Sequence, residues 1–173
     1  TYAMTGWRLG FSVWPNSLVE HVVRLAVNSH SCVNAPTQFA GMPDATMLID
    51  AAALLASLDS PELCLIDARG PDRFRGENET IDPVAGHIPG ARNRCFKDNL
   101  EPDGRFKPAA VLRAEYLALM AGAASSQVVA QCGSGVSACL DLLALEIAGL
   151  HGARLYAGSW SEWCSDPARP VAR

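Results

Sequence analysis

The sequence has few lysines, no long apolar run and no paired-cysteine metal motif. Only two of its 14 basic residues are lysines and the formal net charge is −4, so nucleic acid is not an expected partner. No apolar run approaches the ~20 residues that span a bilayer. The N-terminal residues also lack the basic region and cleavage site of a signal peptide. We therefore expect a cytoplasmic protein with no membrane attachment.

Six cysteines are present, and no two of them stand in a C-x-x-C pattern. Neither a zinc site nor a disulfide framework is expected, and most of the thiols should be reduced. The hydrophobic fraction of 49% and the charged fraction of 18% are ordinary for a globular protein. A chain of 173 residues suits one domain, or one domain with an appendage.

One stretch predicts a reactive thiol. Apolar residues from Val128 to Ala130 lead to Cys132, a Gly-Ser-Gly loop follows, and helical spacing then predicts a helix over 136–148. Such a loop aims backbone N–H groups inward, and the helix N-terminus adds partial positive charge, so an anion is favoured there. Cys132 is therefore expected to be thiolate-rich near neutrality and is a candidate nucleophile. The alternative is a cysteine that merely ends a buried strand.

Alternating strand and helix patterns predict an α/β fold with a parallel sheet flanked by helices. A helix capped by Thr46 is expected to end near Leu58, and residues 63–66 form an apolar run typical of a buried strand. The remaining predictions are a long loop over 70–90, a short strand at 92–93, a helix over 108–120 capped by Gly122 and a strand over 153–157.

Residues 1–43 are expected to form a strand-helix appendage, and residues 44–173 the main domain, because Pro43 and its polar neighbours break the pattern. A strand is predicted over 1–11 and a helix from Asn16. Gly6-Trp7-Arg8-Leu9-Gly10 resembles the segment that follows the cofactor lysine in class I aminotransferases, which use pyridoxal phosphate. That lysine and the upstream pocket are absent from the sequence, so neither this cofactor nor aminotransferase activity is expected.

The main domain resembles the C-terminal catalytic domain of two-domain rhodaneses. Five motifs agree in order and spacing: Asp67-Ala68-Arg69, Arg73-Phe74-Arg75-Gly76, Gly86-His87-Ile88-Pro89-Gly90-Ala91, Cys132-Gly133-Ser134-Gly135-Val136-Ser137-Ala138 and Tyr156-Ala157-Gly158-Ser159-Trp160-Ser161-Glu162-Trp163. The cysteine loop resembles the Cys-Gly-Ser-Gly-Val-Thr form of 3-mercaptopyruvate sulfurtransferases. The resemblance implies a rhodanese fold, a sulfurtransferase activity and a persulfide on Cys132, with no metal and no cofactor.

The same resemblance implies roles for the loop that follows Cys132. Backbone N–H groups of the loop would hold the charged persulfide sulfur; the loop residues are Gly133, Ser134, Gly135, Val136 and Ser137. The hydroxyls of Ser134 and Ser137 could also donate to the sulfur, or each could bond its own loop backbone.

The donor is expected to be 3-mercaptopyruvate. Rhodaneses that use dianionic thiosulfate tend to place basic residues after the cysteine, whereas Gly133 and Ser134 are neutral. Arg73 matches the arginine that binds the substrate carboxylate in the family, and a guanidinium can do so bidentately. The alternative for Arg73 is a solvated loop arginine.

A second substrate arginine of the family has no counterpart in Glu79-Thr80-Ile81-Asp82-Pro83. Arg75 is the further substrate-binding candidate, and Arg92 or Arg94 could also replace it. If none of them does, the affinity for substrate would be poor.

Three further residue types receive structural interpretations. His87 is expected in a structural turn, although a cysteine and a histidine together also suggest a catalytic dyad. Trp160 and Trp163 are expected to pack behind the site. Cys139 lies two helical turns from Cys132, roughly 10 Å away, which is too far for a direct disulfide.

Other functions remain as alternatives. Thiosulfate could be the donor, or the chain could be a truncated or chimeric domain that carries sulfur and turns over poorly, since the usual N-terminal rhodanese domain is missing from the sequence. A cysteine phosphatase is disfavoured because residues 132–145 contain no arginine for a phosphate. The expected partners are a small sulfur donor and a thiol acceptor such as thioredoxin or a small thiol, and a homodimer is an open alternative.

Overall fold

In a computed structural model the chain divides into two units, Thr1–Asp44 and Ala45–Arg173. The structure describes residues 2–4, 9–11 and 45–173. In the first unit, β1 (Tyr2–Met4) pairs antiparallel with β2 (Leu9–Phe11). The single strand predicted over 1–11 is therefore two strands. The helix predicted from Asn16 lies outside the described residues.

A five-stranded parallel sheet organises the second unit. Its strands are β3 (Leu48–Ile49), β4 (Cys64–Asp67), β5 (Arg92–Asn93), β6 (Val128–Gln131) and β7 (Arg154–Tyr156), in the spatial order β3-β7-β6-β4-β5. In the register of the two central strands, Asp67 lies beside Gln131. The residue after each strand therefore emerges at the same edge, where ligands of such sheets bind.

Helices cover both faces of the sheet. The helices are α1 (Ala51–Ser57), α2 (Pro71–Phe74), α3 (Ala109–Met120), α4 (Ala138–Ile147) and α5 (Ser159–Trp163). On one face, α3 and α4 bury Leu112, Tyr116 and Leu145 against the sheet. On the other face, α1 and α5 bury Leu54 and Trp160. The predicted α/β fold with a parallel sheet flanked by helices is confirmed.

Several predicted boundaries were wrong, and the structure shows why. The first helix of this unit begins at Ala51, where the Asp50 side chain accepts a hydrogen bond from the Ala53 N–H at 2.8 Å. The preceding residues Leu48 and Ile49 instead form an edge strand, because they pair with β7. The predicted loop over 70–90 contains α2, which has a proline in its first turn.

Two helix ends also differ from the predictions. Ala121 takes the left-handed position after α3, with φ of 51°, and Gly122 follows it. The helix behind the cysteine loop begins at Ala138, two residues later than predicted, so the loop itself extends through Ser137. In the part of the chain that the structure describes, no helix is long and apolar enough to cross a membrane.

Candidate active site

Cys132 lies immediately after the central strand β6, at the carboxyl edge of the sheet, and is 2% exposed. Three hydrogen bonds hold it and its neighbour against the segment that follows β7. The Cys132 N–H donates to the Ser159 hydroxyl at 3.1 Å, the Trp160 N–H to the Cys132 carbonyl at 3.0 Å, and the Ser161 N–H to the Gly133 carbonyl at 2.9 Å. The base of the loop is therefore fixed from the side of α5.

Ser159 was not predicted as a site residue. Its backbone has a φ of 54°, in the left-handed region, and its hydroxyl donates to the Tyr156 carbonyl at 3.0 Å. That bond leaves the hydroxyl oxygen free to accept from Cys132. The signal was present in the motif Gly158-Ser159-Trp160, but the pairing with Cys132 depends on β7 lying beside β6.

The loop from Gly133 to Ser137 presents unbonded N–H groups. Within the described residues, no acceptor bonds the backbone N–H of any of its five residues. Gly135 has a φ of 81°, which a side chain would oppose, and this conformation turns the chain into α4. Unbonded N–H groups before a helix N-terminus are suited to an anion, and anion binding by this loop stays a prediction.

The hydroxyls of the two loop serines are unbonded in the described part of the chain. Ser134 is exposed and Ser137 is partly exposed, and neither hydroxyl makes a hydrogen bond to another described residue. The alternative in which each serine bonds its own loop backbone is therefore not seen in this part of the chain. Both hydroxyls are free to donate toward an anion on the loop.

Arg73 is brought to the loop by α2. A Cβ placed on Gly133 would lie 3.3 Å from Arg73 Nη1, so the guanidinium packs directly on this glycine. Its Nε and Nη2 donate to the Glu79 carboxylate at 2.8 to 3.1 Å, and Nη2 also donates to Asp82 Oδ2 at 3.1 Å. The bidentate fork expected for a substrate carboxylate is thus held by Glu79, and Nη1 is the nitrogen without an acceptor among the described residues.

The other candidate arginines take part in different contacts. Arg75 is paired with Glu77 at 2.7 Å, with both side chains more than half exposed. Arg92 donates to the Leu119 carbonyl, and Arg94 donates to Asn99 and Glu115. In the described residues none of the three donates a hydrogen bond to the cysteine loop, so a substrate role for Arg75 stays a prediction.

His87 and the tryptophans have structural contacts. The His87 ring stacks on Phe74 with centroids 3.8 Å apart, its Nδ1 lies 2.8 Å from the Phe74 carbonyl, and its backbone pairs with Ala172. Trp160 and Trp163 are fully buried, and each indole N–H donates to a backbone carbonyl. These contacts agree with the predicted turn and the predicted packing.

Cys139 is the nearest cysteine in sequence to Cys132, and both are free thiols. Its Sγ donates to the Gly135 carbonyl at 3.4 Å, inside the turn of the loop. Burial, and to a lesser degree the neighbouring Cys132, raises the pKa of Cys139 to about 11. Cys139 is therefore protonated near neutrality and unsuited to nucleophilic attack.

A buried polar network lies behind the loop, on the α3 side of α4. Asp141 accepts a hydrogen bond from the Asn99 side-chain amide, and the Tyr116 hydroxyl and Arg94 Nε donate to Asn99 Oδ1 at 3.0 and 2.8 Å. Asp141 Oδ2 has no partner among the described residues. Burial raises the pKa of Asp141 to about 7, against the hydrogen bond from Asn99 and the charge of Arg94, which lower it.

The raised pKa of Asp141 predicts a pH-dependent stability. Between the unfolded pKa near 4 and the folded pKa of about 7, the folded state binds the proton more strongly, so the free energy of unfolding should fall as pH rises. We expect the free energy of unfolding of the wild type to fall by roughly 3–4 kcal/mol between pH 4 and pH 8, at about 1.4 kcal/mol for each pKa unit of the shift. Asp141→Asn should remove that loss and be the more stable protein at pH 8. Urea unfolding at several pH values measures it, and parallel pH curves for the two proteins would contradict it.

No described group of three His, Cys, Asp or Glu side chains is arranged to hold a metal ion. The site instead combines a buried cysteine, an N–H-lined loop and an arginine. The fold and the loop together define an α/β domain with a buried cysteine and a loop of unbonded N–H groups at the carboxyl edge of a parallel sheet.

The comparisons with known proteins identify the family. A model of the rhodanese-like domain matches residues 50–166. The chain is 55% identical over 148 residues to a probable 3-mercaptopyruvate sulfurtransferase of Pseudomonas aeruginosa, an alignment that covers 86% of this chain and 52% of that protein. It is 33% identical over 141 residues to the human 3-mercaptopyruvate sulfurtransferase, an alignment that covers 80% of this chain and 47% of that protein. The chain belongs to the rhodanese-like family.

Solved structures agree with this assignment. The 3-mercaptopyruvate sulfurtransferase from Leishmania major is 31% identical, with a TM-score of 0.58, and 69% of this chain and 33% of that chain are covered. The Tum1 protein from Saccharomyces cerevisiae is 27% identical, with a TM-score of 0.63, and the match covers 74% of this chain and 47% of that chain. The chain spans about half the length of the curated relatives it matches.

Proposed function

We propose that the chain is a sulfurtransferase that moves sulfur from 3-mercaptopyruvate to a thiol or to cyanide through a persulfide on Cys132. The observation that carries the proposal is the cradle of unbonded N–H groups from Gly133 to Ser137, directly after a buried cysteine. The relatives named above as 3-mercaptopyruvate sulfurtransferases support the donor. Neither a metal nor a cofactor is required by this chemistry.

The reaction has two steps. The Cys132 thiolate attacks the sulfur of 3-mercaptopyruvate, a new S–S bond forms, and the C–S bond breaks. The electron pair leaves with the three-carbon fragment, which takes up a proton and becomes pyruvate. An acceptor thiolate or cyanide then attacks the outer sulfur, the S–S bond breaks, and the Cys132 thiolate is restored.

The residues of the site support both steps. The persulfide carries its negative charge on the outer sulfur, where loop N–H groups and the hydroxyls of Ser134 and Ser137 can donate to it. Arg73 Nη1, which packs on Gly133, supplies a positive charge for the substrate carboxylate. Arg75 remains a further candidate for that carboxylate.

Thiosulfate is the second candidate donor, because the thiosulfate sulfurtransferase of Cricetulus griseus is 34% identical over 131 residues. In that case the S–S bond of thiosulfate breaks and sulfite leaves. The proposed acceptor is thioredoxin or a small thiol, and the proposed location is the cytoplasm, where such thiols are kept reduced. The proposed oligomeric state is a homodimer.

A cyanolysis assay with each donor tests the proposal. We expect thiocyanate to form from both donors, with kcat/KM for 3-mercaptopyruvate higher by about tenfold or more, because the loop lacks the side-chain cations that a dianion needs. Mass spectrometry of the donor-treated protein should show one added sulfur on the peptide that contains Cys132. Activity with thiosulfate alone would overturn the donor assignment, and activity with neither donor would overturn the function.

A further inference from the structure

Two acidic side chains, Glu79 and Asp82, hold the arginine of the site. Their exposed fractions are only 2% and 6%, against 21% for Arg73. Glu79 also lies 3.4 Å from Arg69 Nη1 and accepts the N–H groups of Ile81 and Asp82 at 3.0 and 3.2 Å. These carboxylates are therefore fixed parts of the site and not mobile surface groups.

The charges of this region do not balance. Arg69 is already paired with Asp67 at 2.6 Å, so two guanidinium groups face three carboxylates. We call these five side chains the charge cluster; they are Asp67, Arg69, Arg73, Glu79 and Asp82. The cluster has a net charge of −1 when all five are ionised, and it is mostly buried, so solvent screens it weakly.

Asp82 connects the charge cluster to the cysteine loop. Its Oδ1 accepts a hydrogen bond from the Ser161 hydroxyl at 2.6 Å, and the Ser161 N–H donates to the Gly133 carbonyl at 2.9 Å. Its Oδ2 accepts from Arg73, which packs on the same glycine. Ser161 and Arg73 thus each link the Asp82 carboxylate to Gly133, the residue after Cys132. A sulfur donor bound on the loop would interact electrostatically with that carboxylate.

We infer that Asp82 is a specificity-determining residue that favours a singly charged sulfur donor over a dianionic one. The inference rests on the proposed function and deepens it. A carboxylate near the loop repels thiosulfate, with two negative charges, about twice as strongly as 3-mercaptopyruvate, with one. This repulsion disfavours thiosulfate further, in addition to the lack of positive charge on Gly133 and Ser134.

The test is the ratio of kcat/KM for the two donors in Asp82→Asn. Asparagine keeps the size of the side chain and removes its charge, and its single amide oxygen can accept only one of the two hydrogen bonds that Asp82 accepts from Ser161 and Arg73. We expect kcat/KM to rise about tenfold for thiosulfate and about threefold for 3-mercaptopyruvate, so the ratio moves about threefold toward thiosulfate. A role in structure alone would change both donors by the same factor.

Two control variants separate charge from packing. Asp103→Asn removes the same charge from an exposed turn residue that pairs with Arg105, and it should leave the ratio unchanged. Ser161→Ala breaks the hydrogen bond to Asp82 and keeps the charge, and it should also leave the ratio unchanged. Thermal unfolding verifies each fold, and Asp82→Ser gives a second measurement of the charge effect.

The outcomes are distinct. A shift toward thiosulfate in the Asp82 variants, absent from both controls, supports the inference. Equal changes for the two donors, or an equal shift in Asp103→Asn, would overturn the inference and leave the proposed function standing. A wild type that forms no persulfide with either donor would overturn the proposed function and the inference together.

Discussion

Replacing Cys132 with serine is expected to lower sulfur transfer by at least about 10³-fold with either donor, because the reaction needs a nucleophile that can itself form an S–S bond. A serine hydroxyl is far less acidic than a thiol and cannot carry a persulfide. The substitution should be well tolerated by the fold, since the backbone at this position is held by Ser159 and Trp160 and not by the sulfur. Cyanolysis rates and the mass of the donor-treated protein measure the effect.

Cys139→Ser is the matched control for this experiment. It removes a second thiol from the same segment, but burial keeps that thiol protonated, with its pKa raised to about 11. A serine hydroxyl can also donate to the Gly135 carbonyl in place of the sulfur. The control should keep activity within about twofold of the wild type. Equal activity in the wild type and in Cys132→Ser would refute the persulfide mechanism.

Replacing Gly86 with alanine is expected to destabilise the second unit by about 3 kcal/mol or more. Gly86 has a φ of 125°, which side chains rarely adopt, and an added Cβ would lie 2.3 Å from the Ala172 carbonyl oxygen. The backbone would have to shift, which would break the pairing of His87 with Ala172 and the bond from Arg69 to the Gly86 carbonyl. The midpoint of thermal unfolding should fall by about 10 °C or more.

Gly90→Ala is the matched control, in the same motif. Gly90 also has a positive φ, of 79°, but nothing lies within 4 Å of an added Cβ. The substitution should lower the free energy of unfolding by about 1 kcal/mol, through backbone strain alone. A Gly86→Ala protein that unfolds at the same temperature as Gly90→Ala would show that the close approach to Ala172 has no energetic weight.

The success and the failure of the boundary predictions have one physical cause. The continuous apolar run at residues 63–66 and the loop after Cys132 are local patterns, and the bounds of both were predicted to within two residues. Leu48 and Ile49 fall within the helix predicted after the Thr46 cap, yet they pair with β7, more than 100 residues later in the chain. A strand of two residues is stabilised by its partner and has little preference of its own.

For Arg73, too, the sequence predicted the residue, and only the structure shows its contacts. Its sequence motif indicated an arginine for the substrate, and the structure does place it on Gly133, beside Cys132. The motif could not show that Glu79 occupies its bidentate fork or that Asp82 joins it to Ser161, because these contacts depend on how the loop over 70–90 folds back. The charge near the thiol was therefore not predictable from the sequence.

The sequence by itself determined the cysteine, its glycine loop, the following helix and the α/β alternation, because each of these depends on residues close together in the chain. Only the tertiary structure decided which groups surround Cys132 and its loop. It brought Ser159 and Ser161 to the base of the loop through the pairing of β7 with β6, and it placed Arg73 on Gly133 with Glu79 and Asp82 around it. Hydrogen bonds and charges act over a few ångströms in space, whatever the distance along the chain, and so these contacts had no local signature.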